Sequence, residues 1–338
     1  MQMKQQRRTG SAATLVRVIV MLASLVGFAG VATASGDDQV RVDRELPVYR
    51  PTEGVGGDLR IVGSDTMLNL SQAWADLMQR HHPSVRVQVE GKGSSTAPPA
   101  LMENQAQFGA MSRAMASEEI ARFTDDFGYP PTELRVAVDC VAIFVHKDNP
   151  IESLSLTDVR TVFGVGGKEL TWGDLGVTDW RWRTRPVSRY GRNSASGTYK
   201  FFKKAAMSGA DFRPTVKEQP GSSGVIQAIA TDRYAIGYSG IGYVTPGVKV
   251  VPLAIDTGEP AFAPTVDAAY SGDYPLARFL YMYMNYDARE GLDALRERFA
   301  RVMFSRAGQE QVIKDGAYPV SAGVAREEFK KLGLKPGF

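Results

Sequence analysis

One unit recurs along this 338-residue chain and limits its fold more than any other feature: a short apolar run, a loop of Gly, Ser and Thr, then a run with helical spacing. "DLRIV" leads to "GSDT" and then to a segment whose Met67, Leu70, Trp74, Leu77 and Met78 share one helical face. "VRVQVE" leads to "GKGSST" and to "APPALMENQ", whose prolines suit the first turn of a helix. "RPVSRYG" leads to "RNSASGT" and "YKFFKKAAM"; "VKEQP" leads to "GSSG" and "VIQAIATD", followed by the strand "AIGYSG". Strands alternating with helices predict an α/β fold with largely parallel sheets. In such sheets ligands gather where a strand ends and the next helix begins, and all four Gly/Ser loops fall there.

The physics of those loops favours an anion. A helix start exposes unpaired N–H groups and carries about half a positive charge. Glycine admits a ligand close to the backbone, and Ser and Thr add hydroxyls. Several starts aimed at one point hold an anion with little formal charge, and Arg192 adds a guanidinium that can grip two oxygens. Taken singly, a Ser or Thr before a helix is an ordinary N-cap. In "RNSASGT", however, Ser194, Ser196 and Thr198 supply more hydroxyls than one cap can use.

Catalytic readings are poorly supported. A serine nucleophile needs a nearby base. The three histidines, His81, His82 and His146, lie outside the loops, and no G-x-S-x-G occurs. "HHP" lacks the Cys or acidic partners of a metal site. "GVGGKEL" lacks the spacing and the hydroxyl of a phosphate-cradling P-loop, and "DWRWR" reads as a solvated loop with packed tryptophans. No catalytic residue, metal or cofactor is expected.

The N-terminus is of another kind. Lys4, Arg7 and Arg8 precede an uncharged run from Val18 to Ala34 that ends in Ala32-Thr33-Ala34. This is the pattern of a cleavable secretory signal peptide over 1–34; an uncleaved anchor is the alternative, since the run approaches bilayer length. The segment carries four of the chain's 40 basic residues and no acid, so 36 basic face 37 acidic residues after cleavage and the net charge of +3 becomes −1. Nucleic-acid binding gains no support from that balance. Residues 35–57 are polar and aperiodic and read as an arm or linker, tethered or loosely docked, with the folded part beginning near Asp58. The single cysteine, Cys140, excludes an internal disulfide and reads as a buried small hydrophobe.

"GSDTM", "GKGSSTAPPAL", "FGAMSRAM", "VAVDCVAIFVHKDNP", "GRNSASGTYKFFK" and "IGYSGIGY" occur in that order. The set resembles the periplasmic phosphate-binding proteins of bacterial phosphate-specific ABC transporters, in their pseudomonad-type branch, over residues 58–338. The resemblance implies a type II-like periplasmic binding protein fold: two α/β lobes, a central ligand cleft and two interlobe crossings. The crossings are expected near 137–145 and 243–250, giving one lobe of 58–137 plus 250–338 and another of 138–249. It also implies a monomeric, periplasmic, non-enzymatic receptor that binds inorganic phosphate and delivers it to inner-membrane permease subunits. A secreted or membrane-tethered phosphate-binding scaffold is the alternative.

By the same resemblance Thr66, the Met67 N–H, Ser94, Arg192, Ser196, Gly197 and Thr198 contact phosphate, with Ser95 beside them. One departure stands out. Where family members place an aspartate that accepts the proton of hydrogen phosphate, this chain reads Met111-Ser112-Arg113. Asp139 and Asp65 are the substitute carboxylates, with Asp139 preferred because a lone acid before an apolar strand is otherwise hard to explain. Ser112 is the third possible acceptor. Arg113 either adds positive charge or pairs with Glu118.

Overall fold

The computed structural model of the chain describes residues 40–335. The recurring units form as the sequence predicts. β1 (Gly57–Gly63), α1 (Leu68–His81), β2 (Val85–Glu90), α2 (Ala97–Met102), β3 (Phe108–Met111) and α3 (Ser117–Phe127) build the first half. β4 (Thr132–His146) leads into β5 (Leu154–Ser155), α4 (Leu156–Phe163), β6 (Ser188–Arg192), α5 (Gly197–Ala205), β7 (Val216–Gln219), α6 (Ser222–Thr231), β8 (Ala235–Gly240), β9 (Val248–Val251), β10 (Leu253–Ala254) and α7 (Val266–Ser271). β11 (Ala277–Met284), α8 (Ala294–Met303), α9 (Arg306–Lys314) and α10 (Ala322–Lys331) complete the described chain.

β1 pairs in parallel with β2 and β3, and β6 pairs in parallel with β7 and β8. The middle is antiparallel, a larger share than the largely parallel expectation allowed for: β11 runs against β3 and β4, and β4 runs against β8 and β9. The result is one sheet ordered β2-β1-β3-β11-β4-β8-β6-β7, with β9 also on β4. β4 is the shared member. Its residues 132–140 pair with β11, and Val141–Val145 pair with β8. Buried from Val136 to Val145, it is the near-continuous apolar run of a strand covered on both faces.

Two cores flank this strand. Leu59, Trp74, Phe108, Met282, Phe299 and Phe329 lie in the first; Ile143, Phe163, Trp182, Phe202, Tyr238 and Leu253 lie in the second. Phe202 stacks on Tyr238 with ring centres 3.9 Å apart. Trp172 and Trp182 pack together, while Trp180 is exposed. Cys140 is buried in the second core.

Two boundaries move. The return to the first half, expected near 243–250, falls instead between Leu276 and β11, because β9 pairs with the second half of β4, β10 pairs with β5, and Ala268, Tyr274 and Leu276 pack in the second core. Residues 35–57 are not a loose arm where they are described. Leu46 and Tyr49 enter the first core, Asp43 accepts from Ala322 N at 2.8 Å, and Arg306 N donates to Pro47 O at 2.7 Å. The Tyr49 hydroxyl bonds His82 Nε2 at 2.5 Å, which gives that histidine a structural partner. The signal segment 1–34 lies outside the described residues. No helix among the described residues is long and apolar enough to cross a membrane.

Candidate functional site

All four Gly/Ser loops meet between the halves. From the first half, Thr66 Oγ1 lies 2.9 Å from Thr198 Oγ1 of the second. Ser94 Oγ lies 3.3 Å from Ser112 Oγ and accepts from Ser112 N at 3.0 Å. Gly197, at the start of α5, is pressed against that pair: a Cβ there would lie 2.2 Å from Ser94 Oγ and 2.6 Å from Ser112 Oγ. Gly93 (φ +112°) also approaches closely, for a Cβ would meet Ala195 O at 2.6 Å. Ser95 N donates to that same carbonyl at 3.2 Å. The halves are therefore closed on each other, and Ser94, Ser112, Ser196, Thr198 and Arg192 are all buried.

Arg192 is placed by its strand. β6 ends on it, its N–H donates to the Tyr238 hydroxyl at 3.3 Å, and Gly191 leaves room for that ring. Its Nη1 donates to Ser222 Oγ at 2.6 Å and lies 3.1 Å from Asp65 Oδ2 across the cleft. Burial pushes the guanidinium down and the Asp65 charge holds it up. Arg192 Nε, Ser64 Oγ and Ser95 Oγ are buried polar atoms with no protein partner, unusual in a folded interior.

Hydroxyl polarity follows from these bonds. Ser94 Oγ accepts from Ser112 N, Ser196 Oγ from Tyr199 N at 3.3 Å, Ser222 Oγ from Arg192, and Thr198 Oγ1 from Arg278 Nη2 at 2.9 Å. A hydroxyl that accepts from an obligate donor keeps its own proton to give. Four hydroxyls are thus set as donors, beside the N–H groups that open α5. Such a site suits oxygens that carry charge and no proton.

Two carboxylates interrupt the donors. Asp65 Oδ2 accepts from Ser222 N at 2.8 Å and faces Arg192, so it ties the halves together. Asp139 is buried and paired with Arg278 at 2.8 Å. Burial pushes its carboxyl up, while Arg278 and the N–H groups of Ile241 and Cys140 pull it down.

Some expected contacts fall elsewhere. Arg113 points away, its guanidinium forked onto Glu119 at 2.6 and 2.7 Å and not onto Glu118, because Glu119 is the residue that closes the first turn of α3 by accepting from Ala116 N. Met67 is buried, but its N–H donates to Ser64 O at 3.2 Å within a tight turn. Ser194 is exposed. The N-cap explanation holds for Ser196 alone among the four loops.

Sequence reasoning missed Ser222, Tyr243 and Arg278. Ser222 lies in the "GSSG" loop, where nothing local distinguishes it from Ser223. The Tyr243 hydroxyl donates to the carbonyls of Asp65 and Thr66 at 3.0 and 3.2 Å and fixes the first loop from the other half. Arg278 carried no signal, as a lone arginine in the strand "ARFLYMYM".

Two α/β halves on a shared strand, meeting at a buried cluster of donors, define a binding protein of the clamp type, and residues 32–307 match the family model described as a PBP superfamily domain. Within that superfamily the chain belongs to the phosphate-binding protein PstS family. It is 46% identical over 312 residues to the phosphate-binding protein PstS of Pseudomonas aeruginosa, covering 90% of this chain and 96% of that one. A PstS of Bacillus subtilis is 27% identical, over 90% and 91% of the two chains. Among solved structures, an ABC-type phosphate transport receptor from Vibrio cholerae shares the fold with a TM-score of 0.62 at 22% identity, covering 78% of this chain and all of that one. A phosphate-binding protein from Stenotrophomonas maltophilia does so with a TM-score of 0.55 at 15% identity, covering 81% and 93%.

Proposed function

We propose that the chain is a periplasmic receptor that closes on inorganic phosphate, taken as hydrogen phosphate, and passes it to permease subunits of a phosphate ABC transporter. The carrying observation is the convergence of Thr66, Ser94, Arg192, Ser196, Gly197 and Thr198 on one buried spot with its hydroxyls turned as donors. The relatives' names give phosphate as the ligand, and the donor set fits a tetrahedral oxyanion. Binding without turnover is the expected activity, as a monomer released by cleavage after Ala34. A membrane-tethered phosphate-binding scaffold is the second reading, and reading the mature N-terminus in fractionated cells separates the two.

Asp139 is the proposed reader of the ligand's proton. Hydrogen phosphate can donate to a buried carboxylate and sulfate cannot, and an unmatched buried polar contact costs about 1–3 kcal/mol or more. Asp65, whose Oδ2 takes Ser222 N and Arg192, is the second candidate, set after Asp139 because it is only partly buried and a sulfate there would be repelled less. Calorimetric titration tests the reading: tight phosphate binding with little for sulfate is expected, and no phosphate binding would end it. Arg192→Ala and Ser196→Ala should each weaken binding by about 1.5–3 kcal/mol, since each strips a donor from a desolvated anion.

A further inference from the structure

The donor and acceptor pattern of the cleft is held by a residue outside all four loops. Arg278 in β11 stands in register opposite Asp139 in β4, and both are buried. Its Nε and Nη2 donate to the same oxygen, Asp139 Oδ2, at 3.1 and 2.8 Å. Its Nη1 donates to Ser112 O at 2.6 Å, and Nη2 also reaches Thr198 Oγ1 at 2.9 Å on the opposite half. A guanidinium only donates. Thr198 must therefore turn its proton away from Arg278, toward Thr66 Oγ1 at 2.9 Å or a ligand, and both bonds from Arg278 to Asp139 fall on Oδ2, while the N–H groups of Ile241 and Cys140 also act on that carboxylate. The carboxylate borders the space that Gly240 leaves: a Cβ there would lie 3.2 Å from Oδ1, 3.4 Å from Oδ2 and 3.3 Å from Thr66 Cγ2.

We propose that Arg278 is the positioning residue that fixes the clamp as one acceptor among donors, and so makes it select the singly protonated phosphate dianion over the doubly protonated monoanion. This rests on the phosphate reading above. Without Arg278, the lone pair of Thr198 Oγ1 that it occupies is released and can accept from a second phosphate proton, so selection by protonation state weakens. The charged and titratable groups facing Arg278 are Asp139 and Cys140 of β4, Arg192 of β6 and Tyr281 of its own strand. Phe201 of α5 lies under its guanidinium at 5.2 Å, and Arg113 and Lys200 line the adjoining groove. Asp315, after α9, acts on Asp139 and is pushed up to about 7 by burial and by that charge, so its titration is removed in a control background.

The test is calorimetric titration of inorganic phosphate at pH 6 and pH 8 into the full chain, Arg278→Gln and Arg278→Lys, each also with Asp315→Asn. Lysine keeps a charge beside Asp139, which guards against misfolding around an unpaired buried acid, but lacks the fork that spans to Thr198. Both variants should bind about ten- to a hundredfold more weakly at pH 8 and lose distinctly less at pH 6. Equal losses at the two pH values, which a merely structural role would give, or an unchanged affinity, would overturn the proposal while leaving phosphate binding in place. A parent protein that binds no phosphate would overturn the reading beneath it.

Discussion

At Gly197 one methyl group decides between contact and clash. Its Cα passes so close to Ser94 and Ser112 that an alanine Cβ would overlap both hydroxyl oxygens, yet the position opens α5 with ordinary helical geometry. Gly197→Ala should leave the fold intact in circular dichroism and thermal melts while abolishing the closed form, so phosphate affinity should fall at least a hundredfold. Asp315 offers a test of a different kind. Its carboxyl is pushed up from an ordinary 3.8 to about 7 by burial and the Asp139 charge. The unfolded chain therefore gives up this proton at lower pH than the folded one. The stability contributed is full below pH 4 and is lost as pH rises to about 7. Asp315→Asn should flatten that decline and leave the protein on the order of 1–2 kcal/mol more stable at pH 8, after allowance for partial exposure. Denaturant melts at pH 5 and pH 8 check it.

Among elements, what could be read in advance depended on whether the information was local. The strand–loop–helix units carry theirs in consecutive residues, so their positions and the four loops were legible. The second crossing was not: "VKVVPLA" is apolar enough for either half, and only pairing with β4 and β5 places it. Asp139 drew notice as a lone acid in an apolar run, but its partner Arg278 is brought beside it by β11–β4 pairing across 139 residues of chain. The docked segment hid for a related reason, since "LPVY" is a single short apolar run in polar surroundings, too brief to show a period. Leu46 is 1% exposed in the first core, so Leu46→Ala should cost about 2–4 kcal/mol in a urea melt. A Val48→Ala change beside it, at an exposed position, should cost under about 0.5 kcal/mol.

Over the whole molecule, closure is a balance between ligand and cross-cleft bonds. Asp65 contributes two of the latter, to Ser222 N and Arg192, and Arg278 and Ser95 add their own. Phosphate would bind the closed form and hold it, so the melting temperature should rise with phosphate; a thousandfold excess over Kd corresponds to about 4 kcal/mol. Asp65→Ala removes a tie and leaves Arg192 buried beside no carboxylate. Small-angle scattering should then show a more open ligand-free particle than the parent, with phosphate still driving compaction. No difference between the two ligand-free profiles would mean the tie does not bias closure.

The position of β11 bears on how such a chain can come to be folded at all. It is the last strand in sequence, yet it sits mid-sheet between β3 and β4, and the helices after it supply much of the first core. A polypeptide emerging N-terminus first would carry β1 to β3 as an unfinished edge until nearly its final residues arrive. The second half, whose core draws mainly on residues 138–276, has no such wait. Maturation should accordingly depart from chain order, the middle segment setting first and the two ends afterwards, clasped around a keystone that arrives late.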